Sequence, residues 1–333
     1  MEGKLQYLKQ RCAPLQFGKP ELSKAQIEFY HDLNNEIILI IKSLPASVQT
    51  RALLELMDHL GLSARNASDF FSGFYTPAWS ILYWLEVSFS HNGKLPAAEM
   101  KNIKSVHASA MLLHLLDDHL HDGEIQATHL TILLRSQVWM FMNQALQRIA
   151  ERDSRGGAIA KGFLDDYYAS TVEPKEIDSL DAYCDLFKKQ MGTGFIAPVL
   201  MAEKMTADDQ VIKAVQAAYG AFGTAWRLLD DLQDIPQDLQ SGTRSAVYIC
   251  LPEEGRGYWE NNCRGDDSAK TDPSMDIVAC LKENKVTEKI QQRICTELDA
   301  AASISDAFKI KGFAKELRRL REPLMPDKEP HAL

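Results

Sequence analysis

The chain has 333 residues, 45% hydrophobic and 25% charged, so it carries apolar material for a large core and is neither collagen-like nor of low complexity. Forty-six acidic residues against 37 basic ones leave a net charge of −9, which opposes a nucleic-acid partner, because neutralising phosphates takes clustered Lys and Arg. Its six cysteines (Cys12, Cys184, Cys250, Cys263, Cys280, Cys295) are scattered, with no CxxC and no neighbouring His at ligand spacing, so neither a zinc site nor a disulfide framework is expected.

The first ten residues, MEGKLQYLKQ, lack the apolar stretch of a signal peptide. The most apolar windows, Ile37 to Ile41 and Ile81 to Phe89, are short or contain Glu86. A soluble, cytoplasmic protein without a transmembrane segment is the expectation. Apolar residues recur at three- and four-residue spacing and strand-type alternation is nearly absent, so the chain reads as all-α. Ser23 precedes a helix that Pro45 ends, and a second helix runs from about Val48 to Gly61. An aromatic-rich helical segment follows from Asp69 to Phe89. The next opens near Pro96, suited to a first turn, and stops at Gly123, suited to a C-cap. Further helices are predicted over Gln126 to Asp153, Ala158 to Ser170, Leu180 to Lys204 (interrupted by Gly192, Gly194 and Pro198) and Asp208 to Ile235, which Pro236 cuts. Leu251 to Met275 is polar and rich in Gly and charge, and reads as a long loop. Val286 to Ile304 and Ala307 to Arg321 close the fold. With no internal repeat and no Ser/Gly linker, one large helical bundle over residues 1–333 is the economical architecture.

Asp-Asp pairs occur at 117–118, 165–166, 208–209, 230–231 and 266–267, so a pair alone says little. Two stand apart by context. MLLHLLDDHLHDG sets Asp117, Asp118 and Asp122 directly after an apolar run, and WRLLDDLQDIP does the same with Asp230, Asp231 and Asp234. Helical spacing brings each trio onto about one face. Both trios also fall in the last turn of a predicted helix, where the macrodipole disfavours carboxylates by ~0.3–1 kcal/mol each at exposed sites. Clustered like charges beside an apolar wall cost more unless a cation neutralises them. Oxygen ligands without His or Cys select a hard ion, Mg²⁺ or Mn²⁺ in its place, and Mg²⁺ usually completes its octahedron with water and phosphate oxygens. Two facing trios would thus clamp a diphosphate.

On these residues the chain resembles the class I isoprenoid synthase superfamily, the trans-prenyl diphosphate synthases and their terpene-synthase relatives. Asp117, Asp118 and Asp122 resemble its first Asp-rich motif, and Asp230, Asp231 and Asp234 its second, 113 positions later. The resemblance spans roughly residues 20 to 320. It implies an all-α fold with a central cavity, an allylic prenyl diphosphate as substrate, and about three Mg²⁺ ions assisting loss of diphosphate; it leaves a homodimer open.

The chain also departs from that pattern. Elongating members carry a Gly-Gly-Lys-Arg type element near the N-terminus and an Arg-Arg pair soon after the first motif. Here the nearest early candidates are Gly18-Lys19 and Arg65, and after Asp122 no arginine occurs until Arg135. Lys189-Gln190-Met191 stands where the family has Lys-Thr, and Arg227 where it has Gln. Arg227, at helical spacing from Asp230 and Asp231, either contacts diphosphate or pairs with Asp231. Arg244 in Gly242-Thr243-Arg244 and Lys189 are candidate phosphate contacts, and His114 shares the face of the first trio. Phe71, Phe74, Tyr75, Trp79 and Tyr83 could line an aromatic wall, though core packing competes for each. Trp259 and Tyr258 mark the polar loop as a candidate lid.

Three functions compete. The favoured one is a Mg²⁺-dependent synthase that ionises one allylic diphosphate and then cyclises it or transfers it to an acceptor other than isopentenyl diphosphate. The second is a chain-elongating polyprenyl diphosphate synthase with its homoallylic site built from Lys188, Lys189 and Arg135. The third is an inactive homologue acting as partner subunit or prenyl-lipid binder.

Overall fold

A computed structural model describes residues 15–63, 65–121, 123, 125–172, 177–263 and 276–325. Among the described residues there are fifteen α-helices and no strand. Helix α1 (Lys24–Lys42) opens on a capping box: the Gln26 N–H donates to the Ser23 hydroxyl (3.3 Å) and the Ser23 N–H to Gln26 Oε1 (3.0 Å). Helix α2 (Ala46–His59) follows Pro45, and α3 (Thr76–Phe89) carries Pro77 in its first turn. α3 starts seven residues later than Asp69, where the sequence placed the segment's beginning. Two bonds to α1 hold that stretch out of a helix: the Tyr30 hydroxyl donates to Asp69, and the Phe70 N–H to Asn34 Oδ1 (2.7 Å).

Helix α4 (Ala97–His121) follows Pro96 and ends before the left-handed Gly123 (φ 73°), in keeping with the boundaries its Pro and Gly predict. Helix α5 (His129–Ala150) is capped by Thr128, whose hydroxyl accepts the Thr131 N–H at 3.1 Å. Helix α6 (Ser154–Val172) begins four residues before Ala158. Gly156 and Gly157 argue against a helix there, but Asp153 Oδ1 accepts the Gly156 N–H (3.0 Å), and a Cβ on Gly157 would come within 2.9 Å of that of Ala150. The predicted helix over 180–204 is two: α7 (Leu180–Gln190) and α8 (Gly192–Thr206), parted at Met191, with Pro198 inside α8. Helix α9 (Asp209–Gln233) stops before Pro236, which opens the short α10 (Ile235–Ser241). Then come α11 (Ala246–Cys250), α12 (Glu253–Cys263), α13 (Ile277–Glu283), α14 (Val286–Ala307) and α15 (Lys311–Arg321).

Helix α12 corrects the loop expected over 251–275; residues 264–275 lie outside the described residues. Trp259 is wholly buried and its indole N–H donates to the Thr243 carbonyl (3.1 Å), so it is part of the core and not a lid. Leu251, Gly255 and Trp259, spaced by four, form an apolar stripe that the surrounding charges hide in the sequence. Deleting this segment would therefore unfold that side of the protein before it could report on lid closure.

Apolar on nearly every side, α8 is the central rod and packs against α3, α4, α6 and α9. Around it, α4 packs on α1 and α5, and α9 on α14. Cys184, Cys250, Cys280 and Cys295 are unpaired thiols. Among the described residues no helix is long and apolar enough to cross a membrane.

Candidate active site

Helices α4 and α9 end on the same side of the molecule, and that convergence builds the site. A cavity of about 350 Å³ opens there. On α4, Ala110, Met111, His114, Leu115 and Asp118 line it; on α9, Tyr219, Gly223, Trp226, Arg227 and Asp230 do. Both sets follow helical spacing back from the acidic motifs, so each helix presents one continuous stripe, apolar in the depth and acidic at the end. Met191, at the break between α7 and α8, packs on Gly223, where a Cβ would overlap its sulfur. Phe187 of α7 and Phe74, from the turn before α3, complete the aromatic wall; Phe74 meets Trp226 edge to face at 5.5 Å.

The carboxylates differ in their surroundings. Asp118 and Asp230 face the cavity. Asp117 is turned aside: Arg135 grips it from α5, with Nη2 donating at 3.0 Å, and the Tyr167 hydroxyl donates to it at 2.9 Å. Asp231 is 2% exposed; it accepts the Ala246 N–H at the start of α11 (2.9 Å) and pairs with Arg227 Nε at 3.0 Å. Asp234 is the last-turn cap of α9. Asp122 lies outside the described residues.

Arg227 joins the two motifs. Its Nη1 is 3.8 Å from Asp118 and 3.7 Å from Asp230, its Nε also donates to the Tyr183 hydroxyl (3.0 Å), and its guanidinium lies over the Phe187 ring. The two roles the sequence left open for it are compatible, since it pairs with Asp231 and still lines the cavity. Asp231 raises the pKa of Arg227 well above the ordinary value, so this cation is permanent. The imidazole of His114 opens onto the cavity yet is ringed by protein, and burial lowers its pKa; a neutral ring faces the site.

Lys189 is exposed on α7 and is not among the residues that line the cavity. Lys188 pairs with Asp185 at 3.4 Å. Arg244, its side chain 65% exposed, is held by Glu260 (2.8 Å) over the Tyr248 ring, also apart from the cavity lining. Of the aromatic residues expected to form a wall, Phe74 does; Phe71 and Trp79 are core, and Tyr75 and Tyr83 pack against Phe17 and Phe29. Sequence reasoning passed over Trp226, Tyr219 and Phe187, although counting back by threes and fours from Asp230 finds the first two. It also passed over Asp238, four residues beyond Asp234 on α10.

Burial raises the pKa of Asp230 to about 7, with Asp234, Asp231 and Asp118 adding to the effect and Arg227 opposing it. Asp238 is raised to about 7 as well, again first by burial. Both groups take up protons on folding from an unfolded value near ~4. The stability these groups contribute to the metal-free protein should therefore be fully present below about pH 4 and be lost as pH rises through about 7. Thermal melts from pH 5 to 8 check this: Asp230→Asn should flatten the decline, and an unchanged slope would contradict it.

The donor set bears on the expected ion. The facing carboxylates, Asp118 and Asp230, suit Mg²⁺; His59, His114 and His119 also line the cavity, and among the described residues no group of three acidic, His or Cys side chains forms a ready-made cage. Mg²⁺ commonly takes one or two carboxylates and obtains its remaining ligands from water and phosphate, so the residues fit an ion that arrives with a diphosphate.

In fold the chain is similar to geranylgeranyl pyrophosphate synthase from Corynebacterium glutamicum, at 16% identity, covering 94% of this chain and 98% of that one, with a TM-score of 0.59. It is similar also to geranylgeranyl pyrophosphate synthase from Lactobacillus brevis (14%, 90% and 96%, 0.63) and to octaprenyl pyrophosphate synthase from Helicobacter pylori (13%, 89% and 99%, 0.60). No protein-family model matches the chain, and no curated protein matches it in sequence.

Proposed function

We propose that this chain, which has the all-α fold of the class I isoprenoid synthases, is a Mg²⁺-dependent enzyme that ionises an allylic prenyl diphosphate. One observation carries the reading: the acidic ends of α4 and α9 meet at the rim of a single cavity whose depth is apolar and aromatic. A diphosphate belongs at such a rim and a prenyl chain in such a depth. The two motifs, Asp117, Asp118 and Asp122 in the first and Asp230, Asp231 and Asp234 in the second, supply the proposed metal ligands, and of these Asp118 and Asp230 line the cavity. Bound Mg²⁺ would neutralise the charge that develops on the departing diphosphate.

The chain's own residues supply the remainder. Arg227 offers N–H donors toward the diphosphate, and His114, kept neutral, adds no competing charge. Phe74, Trp226 and Tyr219 line the depth and exclude water from the prenyl cation, for which a well-placed ring face is worth ~0.5–2 kcal/mol.

Of the finer readings, the solved structures favour chain elongation, since those named above are polyprenyl or geranylgeranyl pyrophosphate synthases. That reverses the order drawn from the sequence. A second reading, chemistry on a single diphosphate, rests on one observation: among the described residues Arg227 is the only Lys or Arg lining the cavity, and elongation needs a site for a second diphosphate. Incubation with C10, C15 and C20 allylic diphosphates, with and without isopentenyl diphosphate, separates them by mass spectrometry. Longer diphosphates formed only with isopentenyl diphosphate support elongation; hydrocarbon or alcohol formed without it supports the second reading. Diphosphate release from none of them would end both.

A further inference from the structure

The position of Arg227 has a consequence for how many metal ions the site can take. Its guanidinium stands among Asp118, Asp230 and Asp231, at 3.8, 3.7 and 3.0 Å, between the acidic ends of the two helices that would hold the metal. It is not free to leave. Its Nε is held by Asp231 and Tyr183, Asp231 is in turn fixed by the Ala246 N–H, and the Phe187 ring backs the guanidinium. Its Nη1 is too far from Asp118 and Asp230 for a hydrogen bond to either, so its protons remain for an incoming anion.

Charge leads to the same place. The four described carboxylates of the first pairs, Asp117, Asp118, Asp230 and Asp231, meet two guanidiniums, since Arg135 grips Asp117 as Arg227 grips Asp231. Two of these four charges are thus already matched by side chains, before Asp234 is counted. A divalent ion brought to the same point as Arg227 would meet a fixed like charge within about one ion-pair length in a partly dry site, where such repulsion is strong.

On the reading that this site binds an allylic diphosphate, we propose that the Arg227 guanidinium takes the place of one divalent ion. Diphosphate then binds with no more than two ions per chain, and Arg227 contacts a phosphate oxygen directly, in the bidentate manner that guanidinium allows. The arginine is part of the anion site and also fixes its metal count.

Mn²⁺, visible by electron paramagnetic resonance, is the probe. Bound Mn²⁺ is counted per chain at saturating inorganic diphosphate, for the wild type, Arg227→Gln and Arg227→Lys. The expected result is two or fewer in the wild type and in Arg227→Lys, and one more in Arg227→Gln. Three in the wild type overturns the proposal, and that count stands even if Arg227→Gln fails to fold. An equal count in wild type and folded Arg227→Gln overturns it too. If none of the chains binds diphosphate with Mn²⁺, the functional reading falls along with the proposal, and this result differs from the other two.

Discussion

Asp118→Ala and Asp230→Ala are each expected to lower the rate of diphosphate release by at least ~10²-fold, the usual scale for losing charge stabilisation made in the transition state. Neither change should cost stability. Both carboxylates face the cavity, and their nearest described cation, Arg227, is beyond hydrogen-bond range of each. For Asp230 the expectation is stronger, because burial among like charges has already raised its pKa to about 7, the mark of a group whose charge the fold disfavours. Asp230→Ala should leave the metal-free melting temperature at pH 8 unchanged or higher while activity falls. Release assays paired with melts on the same preparation check this. A melting temperature that drops in step with activity would make Asp230 a structural residue.

Asp231→Ala should behave in the opposite way. Its carboxylate is buried, accepts the Ala246 N–H and is the nearest counterion of Arg227, so its removal leaves a buried backbone donor without its acceptor and Arg227 with only the longer contacts to Asp118 and Asp230 and the Tyr183 hydroxyl. Breaking a buried pair from one side costs about 3–5 kcal/mol. For a chain of this size that is roughly a 4–7 °C fall in melting temperature. Asp231→Asn, which keeps an acceptor for Ala246, should lose less. Differential scanning calorimetry of the three chains without metal gives the comparison, and equal melting temperatures would show that Asp231 serves the ligand alone. One motif thus holds two tasks: Asp230 is set for the ligand at some expense to the fold, and Asp231 supports the arginine between the motifs.

The acidic trios were legible because they break local rules, with carboxylates at helix C-termini beside apolar runs, and such conflicts mark sites that a bound group resolves. Helix ends were legible wherever Pro or Gly stands at a boundary, as at Pro45, Pro96, Gly123 and Pro236. The misses have local causes. Helix α12 is written in Glu, Gly, Arg and Asn, and only the stripe through Leu251, Gly255 and Trp259 reveals that one face is core. The early start of α6 depends on a cap from Asp153, which outweighs two helix-weakening glycines. At the site, chain order conceals that Arg135 reaches Asp117 and Tyr183 reaches Arg227, since partners 18 and 44 residues apart are set by packing and not by spacing.

The central claim is that the two helix ends form one anion site completed by metal. Titration calorimetry of inorganic diphosphate into the wild-type protein, with and without Mg²⁺, tests it most directly. Mg²⁺ should tighten diphosphate binding at least roughly tenfold, and diphosphate should tighten Mg²⁺ binding by the same factor, since coupling between two ligands is reciprocal. Asp118→Ala and Asp230→Ala should each weaken that coupling. Diphosphate that binds equally well with and without Mg²⁺ would contradict the account.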